Sequence, residues 1–302
     1  MDTRKFGNTG LEVTRIGFGA MTIGGAFGPV DDTESTQALH AAIDAGMNFI
    51  DTSNAYGEGR SETLIGQFLR SRPDRDRILV FTKGGNNMVT RVRNFEPDYI
   101  ASCLEGSLSR LGRDTIDFYM LHNPSVDNMA AEDSYAVLEK AKSDGKIRHW
   151  GVSVNTVAEC ELAVSQGRVA AMQMEYNILN QSAGATFSSA HAAGLGVISR
   201  VPLNRGFLSG RFDETVQWTD DDTRKRSLTP ENIRKHQGQL DLVRSIAAEM
   251  GISPAALAIR FCASNPDVSC VIPGVRTASQ ARQNAAAWEP LPEDVMARLR
   301  AA

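Results

Sequence analysis

Apolar positions along the 302 residues alternate between two patterns. Short runs of β-branched and aromatic residues recur at Arg15–Ala20, Asn48–Ser53, Ile78–Lys83, Asp117–His122, His149–Val154, Ala170–Glu175, Gly196–Val201 and Cys270–Val275. Their nearly continuous apolar character suits strands buried on both faces. Between them, apolar residues return at helical spacing. Asp32 is positioned to cap a helix carrying Leu39, Ala42 and Ile43, which "DAGMN" ends at Gly46. Pro97 fits a first helical turn and is followed by Ile100, Leu104, Leu108, Leu111 and then Gly112. Ser253 and Pro254 open another helix in the same way.

The early strands begin about every 30 to 40 residues, the length of a strand–helix unit with its loops. No repeat of sequence accompanies this, so the repetition is architectural. Eight such units in one chain predict a closed α/β barrel, a (β/α)₈ TIM barrel, as a single domain over residues 1–302. Two segments depart from the pattern. Residues 4–14, "RKFGNTGLEVT", read as a hairpin turning at Asn8–Gly10 and placed to plug the bottom of the barrel. Residues 204–269, between strands seven and eight, hold a polar stretch from Asn204 to Arg234 and then two helix patterns. A long loop on the top face of a barrel usually covers substrate or cofactor. The rival architecture is an open doubly wound sheet with a glycine-rich cofactor loop in "RIGFGAMTIGG". There Thr22 stands where the third glycine belongs, and no acid follows at the required distance of about 20 residues.

Composition narrows the function classes only a little. Hydrophobic residues at 42% and charged residues at 23% describe an ordinary globular chain. A formal net charge of −4, with no dense basic stripe, argues against nucleic acid as a partner. No apolar run approaches the roughly 20 residues that span a bilayer, and "MDTRKFGNTG" lacks the apolar core of a signal peptide. The four cysteines, Cys103, Cys160, Cys262 and Cys270, form no CxxC pair and no metal spacing. Reduced thiols and a cytoplasmic location are the expectation.

The chemistry of a barrel lies at the C-terminal ends of its strands. In "NFIDTSNAYGEGRSE" strand two ends on Asp51, with Tyr56 in the loop beyond and Ser61 placed to cap the next helix. A carboxylate at the mouth of an apolar core needs a positive partner, and Lys83 at the end of "ILVFTK" supplies one from the next strand. Strand four delivers His122, strand five Ser153 and Asn155, strand six Gln173 and Asn177. A lysine beside a tyrosine lowers the phenol pKa, a carboxylate keeps that lysine charged and oriented, and a histidine can hold a carbonyl oxygen. These are the parts of a carbonyl reductase site. Each residue alone has a plainer structural reading; four on consecutive units favour a shared site. A metal-dependent hydrolase would need several histidines at strand ends, and of His40, His122, His149, His191 and His236 only His122 closes a strand. A Schiff-base lyase using Lys83 would want that amine neutral, which Asp51 opposes.

The segments "GFGAMTIGG", "FIDTSNAYGEGRSE", "LVFTKGG", "DFYMLHNP", "GKIRHWGVSV", "MQMEYN", "VPLNRGFLSG" and "VIPGVRTASQARQNAAA" follow one another along the chain. In that order they resemble the signatures of the aldo-keto reductases, in bacterial-type form. The resemblance implies an NAD(P)(H)-dependent oxidoreductase, with NADP(H) first and NAD(H) second as cofactor, that interconverts a carbonyl and an alcohol. It implies Tyr56 as general acid and base, Lys83 and Asp51 as its tuners, and His122 as the carbonyl-orienting donor. For the cofactor it implies Gly19, Ala20, Met21 and Asp51, then Ser153 and Gln173 at the carboxamide, and Arg200, Val201 and Pro202 by the ring. Leu203, Phe207, Leu208, Ser209 and Gly210 would follow the pyrophosphate, and Ile272, Gly274, Arg276, Gln280, Gln283 and Asn284 the adenosine, with Arg276 at a 2′-phosphate. Val154 separates Ser153 from Asn155 where many members have Ser-Asn. Arg200 replaces the usual ring-stacking aromatic, and Gln280 replaces a common arginine. Met21, Phe27, Tyr56, His122 and Trp218, with the loop "GNNMVTRVRNF", are the candidates for substrate contact. The implied partner is a small carbonyl or alcohol, bound by a monomer or weak homo-oligomer. Some barrels resembling this family serve instead as cofactor-binding regulatory subunits.

Overall fold

Each of the eight apolar runs contributes a strand in the computed structural model, which describes residues 1–87, 90 and 92–301. Met88, Val89 and Arg91, within the loop assigned to substrate contact, and Ala302, the last residue of the predicted domain, lie outside the described residues. Strands β1 (Thr3–Lys5) and β2 (Glu12–Thr14) form an antiparallel pair. The barrel strands are β3 (Phe18–Gly19), β4 (Phe49–Asp51), β5 (Leu79–Gly84), β6 (Ile116–His122), β7 (Ile147–Ser153), β8 (Ala171–Glu175), β9 (Gly196–Arg200) and β10 (Cys270–Ile272). They run parallel in sequence order. Parallel bridges from Ile16 to Val271 and from Gly19 to Gly274 join the first strand region to the last. The (β/α)₈ TIM barrel is thereby closed.

The interior of the barrel is packed, as burial on both faces requires. Phe49, Phe81, Phe118, Met120 and Ile198 fill it from the strands, and Phe6 and Val13 enter from the hairpin. The Phe6 ring centroid lies 5.2 Å from those of both Phe81 and Phe118. The hairpin is therefore a plug, and its turn ends at Gly10 in left-handed backbone with φ 78°. A larger apolar layer between strands and helices completes the core.

Local signals mostly act where the sequence places them. The helix Pro97–Leu111 has proline in its first turn and stops at Gly112, φ 63°. The cap of the first helix is corrected by one residue. Asp31, not Asp32, accepts the Glu34 N–H at 2.7 Å, and the helix runs Asp32–Asp44. The long connection is also more ordered than expected. A 3₁₀ segment spans Asn204–Ser209, and a helix at Pro230–Lys235, capped by Thr229, occupies the end of the polar stretch. The helices Gln237–Glu249 and Pro254–Ser264 follow. Part of the connection crosses the mouth of the barrel to the loop after β3. Thr223 donates through its N–H at 3.2 Å and its Oγ1 at 2.7 Å to the Ala26 carbonyl, and Phe27 bridges to Asp222.

Candidate active site

The parallel register carries Asp51 and Lys83 to the same end of the barrel, Asp51 pairing with Phe81 two residues before Lys83. Both side chains are buried, and Lys83 is fully so. Its Nζ donates to Asp51 Oδ1 at 2.5 Å and to the Thr52 carbonyl at 2.8 Å. Gln173 Nε2 donates to the other Asp51 oxygen at 2.8 Å. Both oxygens of this buried carboxylate are thus hydrogen-bonded, which offsets the cost of removing it from water.

Tyr56 arrives from the loop after β4 and packs over this pair, its ring centroid 5.4 Å from Lys83 Nζ. Gly57 and Gly59 make the turn possible, with φ 62° and 88°. A Cβ on Gly57 would sit 2.4 Å from the Gly24 carbonyl oxygen, so a larger residue would push the loop off its seat. Ser61 is not the helix cap that its position suggests. The helix Arg60–Arg70 begins after Gly59, and the Ser61 hydroxyl is buried against Thr52 Oγ1 at 2.9 Å and the Ala20 carbonyl at 3.2 Å.

His122 ends β6 with its ring edge-on to Tyr56, centroids 5.9 Å apart. Its Nδ1 lies 3.0 Å from the hydroxyl of Ser53, which already accepts the Ala55 N–H at 3.2 Å. A hydroxyl that donates to Nδ1 leaves the proton on Nε2, where it can be donated to a ligand. Ser53 was not singled out in the sequence; only its place at the end of an apolar run, between Asp51 and Tyr56, marks it. Replacing Ser53 with alanine is expected to lower kcat/KM for a carbonyl about tenfold while leaving cofactor affinity unchanged. Unaltered turnover would show that the histidine tautomer is set elsewhere.

The electrostatics correct one expectation. Burial pushes the Tyr56 phenol up, and this outweighs the downward pull of Lys83, so the net shift is above its ordinary value of 10.0. The site holds a protonated phenol. Burial, reinforced by Lys83, Arg200 and Arg93, holds His122 well below 6.5, so the imidazole is neutral. Burial also lowers Arg200.

A cavity of about 800 Å³ extends from Tyr56 and His122 to Gln283 and Asn284. Gly19, Ala20, Met21, Phe27, Asp51, Gln173, Arg200, Val201, Pro202, Leu203, Ser209, Ile272, Gly274, Arg276 and Gln280 also line it. Ser153 lies one layer back, its Oγ 3.4 Å from Gln173 Oε1. Phe207 and Leu208 are the buried residues of the 3₁₀ segment, and the Gly210 N–H is taken by the Phe207 carbonyl. Trp218 is not itself part of the lining; it packs behind the lining residues Phe212 and Arg224 and donates through Nε1 to the Leu228 carbonyl. The guanidinium of Arg276 donates to the carbonyls of Phe27 and Pro29. Arg200 donates to the Val154 carbonyl and to Asn155 Oδ1 at 2.9 and 2.8 Å, and its buried Nε has no partner among the described residues. Val201 is strained: it is β-branched, yet has φ 58°. Its carbonyl is held by Asn177 Nδ2 at 3.0 Å.

Arg205, Arg211, Arg224, Phe212 and Asn123 also line the cavity and were missed in the sequence, whereas Asn86 belongs to the loop named there for substrate contact. The crossing segment brings several of them in, and its only written signal was a polar insertion. Among the described residues five arginines thus line the cavity, where Asp51 is the one carboxylate and is paired to Lys83; Arg200 and Arg205 approach Glu175, and Arg224 pairs with Asp222, outside the lining. That donor set fits an anionic ligand such as the phosphates of a nicotinamide dinucleotide. Among the described residues no group of three or more His, Cys, Asp or Glu side chains could hold a metal ion, and no single helix is long and apolar enough to cross a membrane.

A closed barrel thus carries a buried acid, lysine, tyrosine and histidine at its top, beside a cation-lined cavity. The chain belongs to the Aldo/keto reductase family, whose profile it matches over residues 15–302. It is 30% identical over 292 residues to the fission-yeast (Schizosaccharomyces pombe) protein "Aldo-keto reductase yakc [NADP(+)]", covering 93% of this chain and 85% of that one. It is also 30% identical over 312 residues to a rice (Oryza sativa subsp. japonica) protein described as a probable voltage-gated potassium channel subunit beta, covering 97% and 92%. Among solved structures, the holo form of aldo-keto reductase AKR11C1 from Bacillus halodurans superposes with a TM-score of 0.84 at 25% identity, covering 100% of this chain and 96% of that one. Glycerol dehydrogenase AKR11B4 from Gluconobacter oxydans gives 0.85 at 26% identity, covering 99% and 94%. Members of this family use nicotinamide cofactors.

Proposed function

We propose that this protein is an NADP(H)-dependent reductase in which Tyr56 passes a proton to the oxygen of a carbonyl substrate and takes it back in the reverse direction. The observation that carries this reading is the convergence of Tyr56 and His122 on one cavity, with the Lys83–Asp51 pair behind the phenol. When bound, the cofactor supplies the hydride. The substrate oxygen lies between the Tyr56 hydroxyl and the Nε2–H of His122, whose neutral ring donates without bringing a full charge. As negative charge develops on that oxygen, the phenolic O–H bond breaks and a new O–H bond forms on the substrate. The Lys83 ammonium steadies the phenolate left behind, and Asp51, fixed by Gln173, keeps the ammonium in place.

Gln173, backed by Ser153, is the proposed holder of the carboxamide, with the Arg200 guanidinium beside the ring. Leu203 to Gly210 shape the phosphate wall, and Arg276, Gln280, Gln283 and Asn284 form the adenosine end. NADP(H) is preferred over NAD(H) because arginine suits a 2′-phosphate, and the yeast relative carries NADP(+) in its name. A Schiff base on Lys83 is not carried forward, since its amine is buried and held by two acceptors.

A steady-state assay of NADPH and NADH oxidation over aldehydes, ketones and aldoses tests the proposal. Turnover with at least one carbonyl is expected, with kcat/KM higher for NADPH. Tight cofactor binding without turnover of any carbonyl would favour the second reading, a cofactor-binding regulatory subunit, which the rice relative brings into view.

A further inference from the structure

Arg200 ends β9 beside Glu175, its register partner at the end of β8. Its side chain is 19% exposed and lines the cavity. The hydrogen bonds it makes go to neutral acceptors, the Val154 carbonyl and Asn155 Oδ1. Glu175 approaches it no closer than 3.9 Å, and that carboxylate is shared with Arg205 at 3.6 Å. Lys83 takes Asp51 at 2.5 Å. Three cations, Arg200, Arg205 and Lys83, thus stand against two carboxylates, Glu175 and Asp51. His122 is neutral and Tyr56 protonated, so neither cancels the excess.

From this uncompensated charge we infer that Arg200 makes the site discriminate between the two redox states of the cofactor, holding the reduced form more tightly than the oxidised one. The inference rests on the cofactor reading proposed above, which puts the nicotinamide beside this guanidinium. The two forms share every phosphate and sugar and differ by one positive charge on the ring. A guanidinium closely paired to its own carboxylate would present little net charge to that ring. Arg200, held mainly by neutral groups, presents most of a unit charge in a half-buried site. Repulsion between like charges a few ångströms apart is then strong enough to change affinity at least about tenfold. Binding and reduction are linked, so a tenfold difference raises the potential of the bound two-electron couple by about 30 mV. The oxidised cofactor left by carbonyl reduction becomes the form most readily exchanged for a reduced one.

The test measures Kd for NADPH and NADP⁺, and for NADH and NAD⁺, by isothermal titration calorimetry at neutral pH and fixed salt, and so reads binding without turnover. In the wild type the reduced form is expected to bind at least about tenfold more tightly than its oxidised partner. Arg200→Met is expected to bring the ratio close to one, while Arg200→Lys, which keeps the charge, retains most of it. Glu175→Gln removes the counter-charge and is expected to widen the ratio about threefold. A role confined to packing would move both constants together, and an unchanged ratio in Arg200→Met would overturn the inference. Equal affinities in the wild type would do the same. Discrimination without turnover of any carbonyl removes the reductase reading and keeps this one; turnover with equal affinities removes this one alone. No binding of any of the four dinucleotides removes both.

Discussion

Replacing Tyr56 with phenylalanine is expected to lower kcat by about 10²–10⁴-fold, the usual contribution of a positioned proton donor. The substitution deletes one hydroxyl and keeps the ring, so the edge-on packing against His122 and the course of the glycine-rich loop are retained. Cofactor affinity, read by fluorescence titration, is therefore expected to change little. Residual activity within tenfold of wild type would mean that another group delivers the proton. The pH dependence gives a second check. Burial raises the Tyr56 phenol above 10.0, so the acid form persists throughout the neutral range. His122 is held well below 6.5 and stays neutral over the same range. Carbonyl reduction is accordingly expected to be flat across neutral pH and to fall only on the alkaline side. Alcohol oxidation, which needs the phenolate, is expected to rise with pH.

Lys83→Met should damage both stability and turnover. It keeps the length of the side chain but removes the ammonium, leaving Asp51 buried with only Gln173 as a side-chain partner. Breaking a buried pair from one side costs about 3–5 kcal/mol. At roughly 2–4 °C per kcal/mol, a fall in Tm on the order of 10 °C is expected in calorimetry. Turnover is expected to drop by about 10²–10³-fold, because the charge that steadies the phenolate is gone. The double variant Asp51→Asn/Lys83→Met removes both charges and should recover part of the Tm but none of the activity. A single variant with wild-type Tm would show that the pair contributes no stability.

The strand pattern was readable because strands of a parallel barrel are buried on both faces, and the eight apolar runs each overlap an observed strand. Their ends were less readable. The run Arg15–Ala20 reduces to Phe18–Gly19 as a strand, with isolated bridges from Ile16 to Val271 in β10 and from Gly19 to Gly274 just beyond it. The convergence of Asp51, Lys83 and His122 followed from strand order alone, since consecutive strand tops share one mouth. What sequence could not supply was competition between neighbours. Asp31 and Asp32 are both good caps, and backbone geometry chose the first. Ser61 looked like a cap until Gly59 started the helix earlier. Lys83 acts on Tyr56 in the direction expected, but the depth of burial, invisible in the sequence, reverses the net shift. Arg224 was hidden for a different reason. Its guanidinium sits over Phe27, Phe212 and Trp218, residues brought together only when the crossing segment docks.

The closure between the first and last barrel strands bears on how the chain becomes active as it is made. Gly17 and Gly19 donate to the carbonyls of Val271 and Pro273, and Val271 donates back to Arg15. The proposed catalytic residues all precede these partners by a wide margin, yet the wall beside them stays open until the final strand arrives. A nascent chain that already carries the four side chains still has two unpaired strand edges, at β3 and β9, and no enclosed mouth. Contacts so distant in sequence form late. Catalytic competence should therefore emerge with the last part of synthesis, and an interrupted chain would present its buried ion pair to water and its sheet edges to other chains.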